Sequence, residues 1–215
     1  MSQSATDANP GTAETTAQAR DAVALFGTSA DPPSCGHEAL LRGLLARYPH
    51  VATWASDNPL KQHGAPLQLR AQLLGALVAG LAEPRLEQVQ ELSSPWAIST
   101  LERAEQRWPA AELVFVVGSD LAPQLPHWRR AKELLHRCRL AIVPRQGWPL
   151  QDDSLEPLRQ LGAQLEVLQL EIPASASSQL RQSPDRAQIP PSLWPLLVQH
   201  NLYGLGAAGA AARRS

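Results

Sequence analysis

Short apolar runs alternate with amphipathic stretches along the whole chain. The runs are Ala22–Thr28, Val51–Ser56, Glu112–Val117 and Cys138–Val143; Leu86–Leu92, which alternates weakly, and Gln164–Leu170 are two further strand candidates. Each has the length of a strand, and AVALF (22–26) and ELVFVV (112–117) are apolar enough to be buried on both faces. Between them lie helical patterns. Leu40, Leu41, Leu44 and Leu45 share one side of a helix predicted at 36–47. Leu67, Leu69, Leu73, Leu74, Leu77, Val78 and Leu81 mark another at 66–82. Further helices are predicted at about 98–108, 128–136, 155–161 and 191–200, with a helical turn within 175–183.

This strand–helix alternation predicts an α/β fold: a doubly wound, Rossmann-like parallel sheet with helices on both faces. Ligands bind such sheets outside the C-terminal strand ends, where the strand order reverses. That directs attention to loops 27–37, 57–64, 93–99, 118–128, 144–149 and 173–183. Residues 1–20 read as a disordered polar tail, 21–203 as one domain, and the Gly/Ala-rich 204–215 as a flexible tail.

Composition narrows the function classes. The chain has 215 residues, enough for one substantial domain, and a net charge of −1 that gives no bulk attraction to nucleic acid or an anionic membrane. No apolar run approaches a bilayer span, and the N-terminus has no basic start or apolar core of a secretory signal. Cys35 and Cys138 make neither a zinc pattern nor a disulfide framework. A cytoplasmic protein is expected, and no residue is assigned to a metal.

The loop GTSADPPSCGH (27–37) joins the first strand to the first helix. It lacks both GxGxxG and GxxxxGK(S/T), so neither the dinucleotide fingerprint nor the P-loop applies. Small residues opening a helix N-terminus still suit phosphate; the competing reading is an ordinary turn with Asp31 as the helix cap. His37 is either structural or a phosphate ligand. Lys61 is either a solvated charge or an anion-binding residue at a strand end. Trp128 either fills the core or stacks on a planar base. Asp120 caps a helix, holds ribose hydroxyls or approaches a metal. SSQLR (177–181) is either a capped turn or a second phosphate cradle with two hydroxyls and an arginine.

Taken together, these segments resemble a known family. GTSADPPSCGH is similar to the G-G-(S/T)-F-D-P-x-(H/T)-x-G-H loop of the HxGH nucleotidyltransferases, and SSQLR to their SSTxxR signature. NPLK (58–61), GSDLAPQLPHW (118–128) and IVPR (142–145) resemble the branch of bacterial nicotinate-nucleotide adenylyltransferases. The ADPP and LSSPW stretches look most like cyanobacterial members, and QHNLY (199–203) resembles the family's C-terminal end.

The resemblance implies an enzyme of NAD biosynthesis. It would join ATP, with Mg²⁺, to nicotinate mononucleotide, giving deamido-NAD and pyrophosphate without a covalent enzyme intermediate. By position, Gly27, Thr28, Ser29, Ser34 and Gly36 would line the ATP phosphates. His37 would stabilise the developing charge, with Arg181 as the second catalytic residue. Ser177, Ser178 and Arg181 would hold the β- and γ-phosphates, and Gly118 and Asp120 would contact nucleotide at the strand end. Lys61, Ala97, Trp128 and Arg145 would serve the mononucleotide: Lys61 at its phosphate, Trp128 stacked on the pyridine, Arg145 near the adenine or dinucleotide. Ser34 stands where the first motif His is usual, and supplies a hydroxyl but no charge. Thr28 replaces a glycine, Ala30 an aromatic residue and Ala97 a threonine near the pyridine carboxylate, where backbone N–H groups remain; Ala176 and Ser178 are small shifts from the usual ISST. These departures keep three rivals in view: transfer to nicotinamide mononucleotide or another phospho-acceptor, a nucleotide-binding regulator without turnover, and a purely structural α/β module.

Overall fold

The computed structural model describes residues 22–58, 61–173 and 177–205. Six strands form one parallel sheet in the order β3-β2-β1-β4-β5-β6. They are β1 (Ala22–Thr28), β2 (His50–Ala55), β3 (Leu86–Gln88), β4 (Glu112–Gly118), β5 (Arg139–Val143) and β6 (Gln164–Val167). The helices are α1 (Cys35–Leu45), α2 (Leu67–Leu81), α3 (Ala97–Arg107), α4 (Ala131–Arg137), α5 (Asp152–Gln160), α6 (Ser177–Gln182) and α7 (Trp194–Gln199). The order reverses at the β1/β4 pair, so the crevice expected of such a sheet opens beyond Thr28 and Gly118.

Successive strand residues point to opposite faces, and each face has its own core. Ala24, Phe26, Val114 and Val116 pack with Leu41 and Leu44 of α1, Leu73 and Leu74 of α2, Leu180 of α6 and Leu197 of α7. Leu25, Trp54, Phe115 and Val117 pack on the other side with Ile98 and Leu101 of α3, Leu134 of α4 and Leu158 of α5. Helices therefore cover both faces, as the alternation predicts.

Three elements depart from the sequence pattern. The run 86–92 is a strand only to Gln88, followed by a 3-10 turn at Gln90–Leu92. There the Gln90 side-chain amide replaces the ladder, exchanging hydrogen bonds with the Ala55 backbone (Ala55 N to Oε1 3.0 Å, Nε2 to Ala55 O 2.9 Å). The helix expected from 128 begins at Ala131, because Leu125–His127 is a 3-10 turn and Arg130 is left-handed (φ 55°). The last helix is split into a 3-10 turn at Pro191–Leu193 and α7. The N-terminal tail, Ala176 and residues 206–215 lie outside the described residues; Gly204 closes a 3-10 turn and Leu205 packs on the core. Among the described residues no helix is long and apolar enough to cross a membrane.

Candidate active site

Every loop singled out above leaves the same edge of the sheet, because all six strands run parallel. Gly27 pairs with Trp54 in the ladder, and a Cβ on it would stand 2.7 Å from the indole; the close approach requires glycine. Thr28 ends the strand buried, its Oγ1 accepting from Ala30 N–H at 3.3 Å. The Ser29 carbonyl accepts from Arg70.

Helix α1 is capped by Ser34, not by Asp31. Ser34 and His37 form a reciprocal capping box, the buried Ser34 hydroxyl lying 2.9 Å from His37 Nδ1. Ser34 N–H also donates to His37 Nδ1, at 3.1 Å. A backbone N–H can only donate, so Nδ1 is the acceptor and the ring proton sits on Nε2. Burial pushes the His37 pKa down to about 4, and the Arg145 guanidinium adds to the effect. His37 is therefore a neutral imidazole at physiological pH, held in one tautomer, with Nε2–H to offer an anion. Gly36, next to it, is buried in the first turn.

Asp31 is the hub of this half. It is fully buried, its peptide to Pro32 is cis, and its carboxylate accepts from Gly64 N–H (2.7 Å) and Tyr203 O–H (2.6 Å). Its carbonyl accepts from Arg181 Nη1 at 2.8 Å, and the same nitrogen lies 3.5 Å from its carboxylate. Ser177 donates through Oγ to the Pro32 carbonyl at 2.8 Å. The β1 loop and α6, about 145 positions apart in sequence, thus meet directly. Ser178 is exposed on the same turn.

Behind them lies Arg70, on the apolar stripe of α2 and 1 % exposed. It donates to the carbonyls of Ala65 (3.0 Å), Ser29 (2.7 Å) and Ser56 (2.7 Å), and lies 3.4 Å from Asp57. His63 Nδ1 approaches Asp31 at 3.7 Å, and its pKa is lowered, first by burial and then by Arg70. Lys61, in the same turn, is exposed.

The other half follows β4 and β5. Gly118 ends β4, and a Cβ there would come 2.4 Å from Asp120 Oδ1 and 2.8 Å from Arg145 Cδ. Asp120 pairs with Arg145 at 3.0 Å through Oδ2, while its buried Oδ1 has no hydrogen-bond partner. Ser119 pins the Arg145–Trp148 turn: its Oγ accepts from Arg145 N–H at 2.9 Å and donates to the Trp148 carbonyl at 2.7 Å. Trp128 is partly buried and packs edge-on to Phe115 (6.4 Å), which meets Trp54 in the same way. Ala97 starts α3 after the exposed Trp96, over whose ring the Arg129 guanidinium lies at 5.2 Å.

Comparison with known proteins decides the family. No family model matches the chain. A probable nicotinate-nucleotide adenylyltransferase of Synechocystis is 36% identical over 196 residues, covering 84% of this chain and 98% of the relative. The chain belongs to the nicotinate-nucleotide adenylyltransferase family. A relative from Chlorobaculum tepidum with the same name is 30% identical over 194 residues, with the same coverage on both sides. Among solved structures, a Plasmodium falciparum nicotinic acid mononucleotide adenylyltransferase complexed with NaAD superposes with a TM-score of 0.69 at 17% identity, covering 86% of this chain and 98% of that one. That likeness bears on the fold and agrees with the Rossmann-like sheet.

For an adenylyltransferase of this family, sequence patterns saw Asp31 only as a cap, gave Ser119 and Tyr203 no role beyond membership of the GSDLAPQLPHW and QHNLY segments, and assigned none to Arg70 or His63. Arg70 carried a usable signal: an arginine on the apolar stripe of α2, between Leu67 and Leu73–Leu74, has to be paired inside. Among the described residues no three His, Cys, Asp or Glu side chains cluster as a metal site.

Proposed function

We propose that this protein transfers the adenylyl group of ATP, entering as its Mg²⁺ complex, to nicotinate mononucleotide, giving deamido-NAD and pyrophosphate. The observation that carries this reading is the meeting of the β1 loop with α6 through Ser177–Pro32 and Arg181–Asp31, opposite the Asp120, Arg145 and Trp128 group. One half suits a triphosphate, the other a nucleoside with a planar base, and both stand at the β1/β4 switch point.

In the reaction a phosphate oxygen of the mononucleotide attacks the α-phosphorus of ATP. The bond to the bridging oxygen breaks, and pyrophosphate leaves with that electron pair. The attacking phosphate is already ionised, so no general base is required. What the protein supplies is placement and charge. His37 donates Nε2–H to a phosphate oxygen. Arg181, fixed through Nη1, has Nε and Nη2 to offer the β- and γ-phosphates, with the Ser178 hydroxyl beside it. Gly27, Thr28 and Ser29 shape the loop. Ser34 acts through His37, whose tautomer it fixes. Lys61 receives the mononucleotide phosphate, Trp128 the pyridine, and Asp120 Oδ1 a hydroxyl of a ribose. The reaction takes place in the cytoplasm.

Ala97 favours keeping one alternative under test, since it gives the pyridine substituent no side-chain hydroxyl. The chain is incubated with Mg-ATP and either nicotinate or nicotinamide mononucleotide, and pyrophosphate is measured. Release with the acid at least tenfold faster than with the amide is expected. Preference for the amide reverses the acceptor. Tight ATP binding with no release under either condition makes the protein a regulator.

A further inference from the structure

Tyr203 closes the QHNLY segment, and the reaction as derived gives it no task. Its position is unusual. The residue has a left-handed backbone (φ 56°), which a tyrosine adopts only when its surroundings hold it there. Its hydroxyl donates to Asp31 Oδ1 at 2.6 Å. The other oxygen of that carboxylate takes Gly64 N–H, three residues after Lys61. The carbonyl of the same residue holds Arg181. Gly64 itself is wedged between the two side chains: a Cβ there would lie 2.7 Å from Arg181 Cδ and 3.2 Å from Tyr203 Cε1. Asp31 is thus tied at once to the turn carrying Lys61, to Arg181 and to the C-terminal segment.

We propose that Tyr203 is a positioning residue, and that the Tyr203–Asp31 hydrogen bond sets the distance between the two phosphate-binding cations, Lys61 for the mononucleotide and Arg181 for ATP. This rests on the site assignments just made. In-line transfer requires the attacking oxygen and the α-phosphorus at near-contact distance, with the leaving oxygen opposite. A strut linking the two cations controls that separation without touching either substrate. Without the phenolic hydroxyl, the buried carboxylate loses a donor and must find another. Its neighbours Arg181, His63 and the Gly64 amide are the available ones, so the two cations shift relative to each other. Each substrate alone still meets its own cation.

The test is Tyr203→Phe in the full chain, with Leu202→Ala beside it; Leu202 packs on the core next to Tyr203 and its aliphatic side chain can make no hydrogen bond to Asp31. Saturating pyrophosphate release is measured together with calorimetric affinities for nicotinate mononucleotide and for a non-hydrolysable ATP analogue, each alone. Tyr203→Phe is expected to lower kcat about tenfold, less than the ~10²-fold that a full 1 Å misplacement can cost. Both separate affinities should stay within about threefold, since each needs only one cation. Leu202→Ala is expected to lower the melting temperature and leave kcat within about twofold, as a change confined to packing does. Unchanged kcat in Tyr203→Phe, or an equal loss in both variants, overturns the proposal. No release by the unaltered chain with either mononucleotide would instead defeat the catalytic reading on which it rests.

Discussion

The two halves of the sheet's loop edge are built in opposite ways. Around the β1 loop, polar groups are already engaged with one another: Asp31 with Gly64, Tyr203 and Arg181, Arg70 with three carbonyls, Ser34 with His37. Around β4 and β5 they are only partly so, through the Asp120–Arg145 pair and the Ser119 hydroxyl. Asp120 keeps a buried oxygen without a partner, Trp148 is 56% exposed and Trp96 45%. The first half is arranged before substrate arrives, which is where electrostatic stabilisation of a transition state is most effective. The second half has hydrogen-bonding capacity and aromatic surface that only a ligand completes, which suits recognition rather than chemistry.

That contrast can be tested by its consequences. The largest expected effect is His37→Ala, with kcat falling by at least ~10²-fold, as for a lost charge-stabilising donor. Steady-state pyrophosphate release gives the answer; near-normal kcat would reduce His37 to a helix cap. Next comes a matched pair. Gly64→Ala and Gly118→Ala put the same methyl group into each half, against Arg181 in one and against Asp120 and Arg145 in the other. Overpacking a tight site costs on the order of 1–3 kcal/mol, so Gly64→Ala should lower kcat/KM by roughly 30-fold at about 1.4 kcal/mol per decade. Gly118→Ala should lower it only about threefold, because the nearest atom, Asp120 Oδ1, ends a side chain that can rotate once its half-exposed partner Arg145 swings aside. Equal losses would erase the distinction between the halves.

Trp128→Ala should raise KM for the mononucleotide about tenfold, the value of a lost stacking partner worth ~1.4 kcal/mol, with KM for ATP unchanged. An unchanged mononucleotide KM would remove Trp128 from recognition. The smallest effect concerns pH. With its pKa near 4 rather than 6.5, His37 is neutral across the physiological range. Between pH 6 and 8 the profile of kcat/KM for ATP should therefore keep the same shape in the unaltered chain and in His37→Gln, any inflection there belonging to the substrate phosphates. On the stability side, the unfolded chain binds a proton near 6.5 that the folded one refuses until about 4. Stability should consequently fall as pH drops through that window, and less so in His37→Gln. An inflection at 6–7 that the substitution abolishes would show a protonated His37 at work.

Much of the fold was legible because the central parallel strands, buried on both faces, read as apolar runs; the weaker patterns at 86–92 and 164–170 also contain strands, at the two more exposed edges of the sheet. The boundaries that slipped did so for two reasons, a side chain standing in for backbone and a tight turn interrupting a helical pattern. Gln90 imitates a ladder, and the turn before α4 leaves Trp128 in a connection rather than in a helix. In the candidate site, the residues that could be named from motifs were those with chemistry of their own. Asp31 was visible only as a turn residue before two prolines. Its partners Gly64, Arg181 and Tyr203 come from three distant segments, and a one-dimensional pattern carries no record of that meeting. Tyr203 was noticed as part of a closing motif, yet only the fold shows what its hydroxyl reaches.

Arg70 has one further consequence, for the sign of the surface that substrates encounter. Two carboxylates stand beside Arg70: Asp31, which lies 3.5 Å from Arg181, and Asp57; on the proposed reading Asp31 would compete with a substrate phosphate for Arg181. Arg70 faces both of them from inside the protein and remains charged, although burial lowers its pKa. It serves as a resident counter-ion, shielded from salt by its burial, while Arg181 and Lys61 stay exposed enough to be screened. Raising ionic strength should therefore weaken the capture of both nucleotides while the internal balance of the loop edge stays intact.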